Sequence, residues 1–503
     1  MALVHPVAQL AMSLLLTEHR SKIRKVIRGS NATLYSVEED TISSKAFVGL
    51  KFREWESKRE QIAAECSFVL KADISRFFYT AYTHSIPWAV LGKAKAKEWW
   101  ANQQGKLNAH WSSKLDAALQ ACQSRETFGI PVGPDTSRLI AEVLLAGVER
   151  DSRFSGAITG RPMCRLMDDF VIGFDDEESA RAALASLRHS LWEFNLQLND
   201  QKTEVQSSRQ SFREKWKLDF EACSLVDADS VAQERDIGRL LDITLHCCAE
   251  AGTGQPAAWA CNRIGKLSRM QKNFSLILDT LFRLSREFPV CVKYVAEFLI
   301  NHQEKCDDSK FRDRISKWVR ATIKVHLPQG HDFEVAWALL VCGVLKMEVS
   351  ADDMASAVAT PNPTIFAILG MLSERQLLKF QLKQWPWKAE KAGINGQNWL
   401  PFYEAVRRKW TADKSMVSAV KQHPVLSRML AANVTFLEDE IFDASTINIT
   451  RRVFRKKRKP AATGAISGGD RPTSLPTTTI AKRKISRASG FQFKRFMRAE
   501  FEY

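Results

Sequence analysis

SFVLKADISRFFY (67–79), GIPVGPDTSR (129–138) and RLMDDFVIGF (165–174) decide how this chain is read. Phe68-Val69-Leu70 is a short apolar run that predicts a buried strand, and the strand ends in one carboxylate, Asp73. Residues 165–174 predict a hairpin: an apolar strand, a turn carrying Asp168-Asp169, and Phe170-Val171-Ile172 returning. A carboxylate at one strand end and two in a neighbouring hairpin turn can meet at one place. Hard divalent cations such as Mg2+ prefer oxygen ligands and need negative charge to hold them. Two of them about 4 Å apart activate an attacking oxygen and stabilise the leaving one in phosphoryl transfer. An isolated Asp-Asp pair is most often a solvated turn, so the weight rests on the segments taken together and in order.

That order and spacing resembles the fingers and palm of a reverse transcriptase over about the first 215 residues. The resemblance implies an α+β fold and an RNA-directed DNA polymerase that uses dNTPs, two Mg2+ ions, an RNA template and a DNA product. By the same resemblance, Asp73 is the first metal ligand and Ile74 lends its backbone carbonyl. Asp168 and Asp169 are the aspartate pair, with Met167 just before them. Pro131 and Gly133 belong to the turn that opens the nucleotide-binding helix. Leu198-Asn199 and Lys202-Thr203 follow the helix after the palm hairpin. Phe78 takes the place of an aromatic that abuts the sugar and excludes a 2′-hydroxyl; the competing reading is a core phenylalanine, as expected for Phe77 beside it. Lys202 is the candidate proton donor to pyrophosphate, or a solvated loop lysine. Arg76 is a candidate contact to the triphosphate.

His84-Ser85-Ile86-Pro87-Trp88 and GIPVGPDTSR resemble more narrowly the bacterial antiphage reverse transcriptases of the abortive-infection and defence-associated groups. This implies antiviral defence, an associated structured non-coding RNA, a helical-repeat domain in place of an ordinary thumb, and a homo-oligomer. Two positions depart from mainstream reverse transcriptases: Val132 stands where glutamine is usual, and Leu166 where an aromatic is frequent. The missing amide leaves room for a template-independent, terminal-transferase-like DNA polymerase. A non-catalytic nucleic-acid-binding scaffold is the third reading, against which stands the presence of all three acids.

With 503 residues, 45% of them apolar, the chain can build two or three domains. The expected division is fingers and palm in 1–215, an all-α helical repeat in 216–448, and a basic flexible tail in 449–503. Ten cysteines contain no CxxC pair, so zinc is not expected and reduced thiols in a cytoplasmic protein are. Val7–Leu16 lacks a preceding basic region and reads as an amphipathic helix rather than a secretory signal. No apolar run reaches membrane-spanning length.

Residues 1–66 read as helices and irregular fingers, with Arg20–Arg28, Lys51 and Arg53 facing phosphate or solvent. Residues 93–127, carrying Trp99, Trp100 and Trp111, read as a helical insertion. Apolar spacing predicts one helix from Leu139 to Val148 and another from Ala180 to Phe194, packed on one side of an antiparallel sheet. Helical periodicities then recur at 233–250, 275–287, 289–302, 309–325, 332–347, 364–384 and 399–413 without an exact repeat. Trp399, Phe402, Tyr403 and Trp410 fall on the last of these, either stacking on bases or filling a core. Pro460–Thr479 reads as a linker between basic runs, and Gly490–Tyr503 as a docking segment. Among six tyrosines, Tyr503 at the chain's end is the candidate protein primer, with Tyr35 held open; Tyr79 and Tyr82 are expected to be packed, and Tyr294 and Tyr403 to lie on helices.

Charge is unevenly placed. Residues 451–503 hold fifteen Lys or Arg against three acids, so twelve of the sixteen net positive charges lie in the tail. Concentrated positive charge binds polyanions through counterion release. Deleting 451–503 should weaken RNA binding and make its dependence on salt shallower in a fluorescence titration at several ionic strengths. An unchanged salt slope would assign the tail to another task.

Overall fold

The computed structural model describes residues 3–30, 52–102, 110–354, 362–380, 382, 393–396, 398–437 and 442. Tyr35, Lys51 and the whole 449–503 segment with Tyr503 lie outside the described residues. The chain divides into two compact units, Met1–Lys456 and Lys457–Tyr503, and every described residue belongs to the first.

Phe68–Asp73 forms β1, as the apolar run predicted. It pairs antiparallel with β3, Asp169–Phe174, in a register running from Phe68 opposite Phe174 to Asp73 opposite Asp169. β2, Met163–Leu166, pairs with the outer edge of β3, and β4, Glu204–Ser207, with the other edge of β1. The sheet order is β2-β3-β1-β4, wholly antiparallel. The predicted α+β arrangement is therefore present.

Helices α1 (Pro6–Glu18), α2 (Arg20–Arg28) and α3 (Phe52–Glu65) precede the sheet. Between β1 and β2 lie α4 (Phe77–Thr80), α5 (Ser85–Leu91), α6 (Lys93–Asn102), α7 (Trp111–Ala121), α8 (Asp135–Arg150) and α9 (Ser152–Ile158). The expected insertion is thus α6 and α7. The second palm helix, α10, runs from Glu177 to Glu193 between β3 and β4.

Strand alternation sorts the side chains onto two faces. Leu70, Ala72, Phe170, Ile172 and Phe174 join the large core built with α8 and α10. Val69, Cys164, Leu166 and Val171 point the other way and meet Trp55, Ile62 and Phe212. Helices are thus not confined to one side: α3 covers the second face, because both faces of β1 and β3 are apolar. Gly173 marks its closest approach, since a Cβ there would lie 2.4 Å from Cys66 Sγ. Gly147 does the same for α8 and α5, where a Cβ would lie 2.4 Å from that of Ala89.

Beyond Ser207 no strand occurs among the described residues. α11 (Lys215–Ala222), α12 (Val231–Ala251), α13 (Gln255–Ile264), α14 (Phe274–Glu287), α15 (Val292–Asn301), α16 (Gln303–Cys306), α17 (Ser309–His326) and α18 (Asp332–Val344) share one continuous core with residues as far as Phe442. α19 (Pro363–Glu374), α20 (Trp399–Arg407), α21 (Lys414–Gln422) and α22 (Leu426–Ala431) complete the region. Three helices stop earlier than their apolar spacing suggested: α18 ends at Val344, before Lys346 at φ 50, and two others stop likewise. α19 ends before Gln376 and α20 before Lys409, both in the left-handed conformation (φ 60) that closes a helix.

Trp399, Phe402 and Tyr403 are buried, and Tyr403 Oη donates to the Val434 carbonyl at 2.7 Å. Their spacing therefore fills a core and offers no stacking surface. That core also receives the N-terminus: Trp399 Nε1 donates to the Leu3 carbonyl, and the His5 ring lies 5.7 Å from that of Trp399. No described helix is long and apolar enough to cross a membrane. All ten cysteines are free thiols, buried or half-buried.

Candidate active site

Asp73 is the last residue of β1, and its ladder partner is Asp169, the first of β3. Antiparallel pairing thus brings two carboxylates from distant sequence to facing positions. Asp168 sits in the two-residue connection between β2 and β3, where Met167 adopts φ 56. That left-handed backbone turns the chain sharply and lets the Met167 side chain fold into the core while Asp168 stays half-buried at the rim.

The turn is held from behind. Arg165, one of the largest fully buried side chains, donates through Nη1 to the Met167 carbonyl at 2.9 Å. Its Nη1 and Nη2 reach Glu142 at 3.2 and 2.9 Å, and its Nε reaches Glu149 at 2.6 Å. Both glutamates are buried on α8. Burial alone would lower the guanidinium pKa, but Glu142 and Glu149 outweigh it and raise it. Local sequence pattern does not announce this network. The one trace was an arginine in an apolar strand, with two glutamates two turns apart on an otherwise apolar helix.

Asp73 is held from the other side. Asn199 N–H donates to its carbonyl at 2.7 Å, and Thr203 Oγ1 accepts from its N–H at 3.4 Å. Ile74 bridges Leu198, and Ser75 N–H donates to the Gln197 carbonyl at 2.8 Å. The Leu198–Thr203 phrase is therefore a backbone clasp on the first carboxylate. Lys202 is exposed, with Nζ 3.5 Å from Asp73 Oδ1. The Ile74 side chain is buried in the core.

The third segment lies alongside. Ile130 N–H donates to the Phe78 carbonyl at 2.6 Å and Gly129 N–H to that of Ala81 at 2.8 Å. Gly129 (φ 98) and Gly133 (φ 129) take conformations that favour glycine. Pro131 is buried and Gly133 exposed just before α8. Phe77 is buried, as expected, and Phe78 is half-buried against the same core. Arg76 is exposed, in the left-handed region at φ 48, with its guanidinium carbon 5.7 Å from the Tyr79 ring centre. Tyr79, expected to be packed, is 66% exposed, because α4 is a single turn whose inward face Phe77 fills. Tyr82 is half-buried among aromatic rings.

Electrostatics mark the three acids as one cluster. Burial raises the pKa of Asp168, and the charge of Asp73 adds to the rise. Burial also raises that of Asp169, helped by Asp168 and Asp73, although its position at the start of β3 stays open to solvent. A divalent cation reverses that balance by favouring the ionised forms. Among the described residues, no group of three His, Cys, Asp or Glu side chains is arranged so that it could hold a metal ion by itself. The acids instead form an open set. That fits Mg2+, which is held by one or two carboxylates and completes its shell with water and substrate phosphates.

Residues 19–221 match the family described as reverse transcriptase (RNA-dependent DNA polymerase). No curated protein matches the chain. Among solved structures, apo telomerase from Candida tropicalis is similar at 9% identity and a TM-score of 0.27, over 71% of this chain. The matched part spans 58% of the telomerase chain.

Removing one partner of a buried ionic network leaves uncompensated charge, at a cost of about 3–5 kcal/mol. Arg165→Met should lower unfolding stability by that amount in urea titration. A loss below about 1 kcal/mol would show that the hairpin does not depend on this network.

Proposed function

We propose that residues 19–221, which match the reverse transcriptase family, form an RNA-directed DNA polymerase that makes DNA from dNTPs with Asp73, Asp168 and Asp169 as ligands of two Mg2+ ions. The observation that carries this reading is Asp73 directly opposite Asp169 in the ladder, with Asp168 one residue away. When bound, such ions activate the attacking hydroxyl and neutralise charge on the triphosphate.

The chain's own residues supply the geometry. The β1–β3 register sets the spacing of the carboxylates, and Arg165 and Asn199 hold the backbone behind each side. Ile74 offers its carbonyl beside Asp73. Lys202, exposed and next to Asp73, can give a proton to the departing pyrophosphate. Phe78, tied through its carbonyl to Ile130, abuts the sugar, while Pro131 and Gly133 shape the turn facing the nucleotide. Arg76 reaches the triphosphate from its exposed position.

The finer assignment is to bacterial antiphage defence, supported by the resemblance of His84–Trp88 and Gly129–Arg138 to that group. With it go a structured non-coding RNA, a homo-oligomer, a cytoplasmic location and priming from Tyr503. Free thiols throughout accord with that location. Among the described residues strands end at Ser207 and only helices follow, which supports the division into 1–215 and 216–448; the tail of 449–503 is proposed on composition alone. Template-independent synthesis is the second reading, favoured by Val132, which puts no amide at the turn before α8.

Asp168→Ala with Asp169→Ala should abolish labelled-dNTP incorporation on a primed RNA template while circular dichroism stays unchanged. Undiminished incorporation would sink the polymerase assignment. Phe78→Ala should raise the ratio of ribonucleotide to deoxyribonucleotide incorporated. If activity survives with the ratio unchanged, Phe78 serves only the core.

A further inference from the structure

Large aromatic side chains are usually buried, because their apolar surface gains free energy by leaving water. Three of this chain's exposed aromatics belong to neighbouring elements beside the candidate site. Tyr79 is 66% exposed, Phe128 56% and Trp100 43%. Phe128 immediately precedes Gly129, whose N–H is bonded to the Ala81 carbonyl, and Phe128 itself bridges Tyr82. The Tyr82 ring lies 4.9 Å from that of Phe128 and 4.9 Å from that of His84. The His84 ring in turn lies 6.2 Å from Trp100. A chain of rings thus runs from the Phe78–Gly129 wall, through Phe128, Tyr82 and His84, to Trp100 on α6.

Positive charge accompanies the rings. The Arg76 guanidinium sits 5.7 Å from the Tyr79 ring centre. Lys97 is exposed one helical turn before Trp100. His84 is hydrogen-bonded to buried Asp116 at 2.5 Å, and that bond raises its pKa against the effect of burial. Exposed π-faces interleaved with cations suit a chain of unstacked bases on a phosphate backbone, since every base has a face to stack. A protein partner would favour a continuous apolar patch with few charges at its centre.

We propose that Tyr79, Phe128 and Trp100 form a stacking platform for single-stranded nucleic acid leading to the carboxylate site. This rests on the polymerase reading and extends it, giving the strand a route along the wall that carries Phe78. Because stacking tolerates any base, binding along this route should depend little on sequence and strongly on the rings.

The test uses the full chain and fluorescein-labelled oligo(dT) and oligo(rU) of about 12 nucleotides, read by anisotropy. Base–aromatic stacking is worth about 1–3 kcal/mol per base, so Phe128→Leu and Trp100→Leu should each weaken binding by about 5- to 150-fold. Phe128→Tyr, which keeps the ring, should bind like the unaltered chain. Tyr79→Leu changes the most exposed ring and serves where Phe128→Leu melts early. If the unaltered chain incorporates dNTPs and the leucine variants bind both oligonucleotides undiminished, the platform is overturned and the polymerase reading stands. If the unaltered chain neither binds the oligonucleotides nor incorporates dNTPs, both fall together.

Discussion

A fully buried arginine, Arg165, ties the palm together. It joins β2 to α8 through Glu142 and Glu149 and caps the Met167 carbonyl at the tip of the hairpin. Burying one cation with two carboxylates is costly unless every polar atom is matched, and here the guanidinium fork meets three partners. The gain is positional. The hairpin turn places Met167 in the left-handed region, and the arginine ties its carbonyl to α8. The same helix begins just after the Gly129–Gly133 turn, so the support for the aspartates and the segment bonded to Phe78 adjoin in sequence.

The other half of the site depends on a different device. Asp73 is set by the ladder to Asp169 and by the 197–203 segment, which lies along its backbone. Crowding of three carboxylates raises the pKa of Asp168 and Asp169 after burial has done so. Such crowding is tolerable where a divalent cation and substrate phosphates complete the charge balance. Lys202, 3.5 Å from Asp73, adds one more mobile charge at the rim.

Much of this was legible in the sequence because strand periodicity and turn chemistry are local. Phe68–Leu70, Phe170–Ile172 and the Asp-Asp turn predicted β1, β3 and the connection between them, and the helices of 216–448 announced themselves by apolar spacing. Side chains whose partners are distant were not legible. Arg165 reads as an anomaly in a strand until α8 is seen behind it. The cover of α3 over the second sheet face needed both faces of β1 to be apolar, which a short run cannot reveal. Trp399, Phe402 and Tyr403 have the spacing of a binding face and of a core alike, and only their burial among distant residues such as Phe366, Met416 and Leu426, with Leu3 and His5 against Trp399, decides for the core. Tyr79 is exposed because α4 is one turn long and Phe77 and Phe78 take its inward positions.

The central claim is that Asp73 and the Asp168–Asp169 turn form one open cation site that substrate completes. Titration of the full chain with Mn2+, followed by electron paramagnetic resonance with and without dATP, addresses it directly. The account predicts that dATP tightens Mn2+ binding and that Asp73→Asn abolishes this tightening while leaving the fold intact. Equal Mn2+ binding with and without dATP, or tightening that survives in Asp73→Asn, would contradict it.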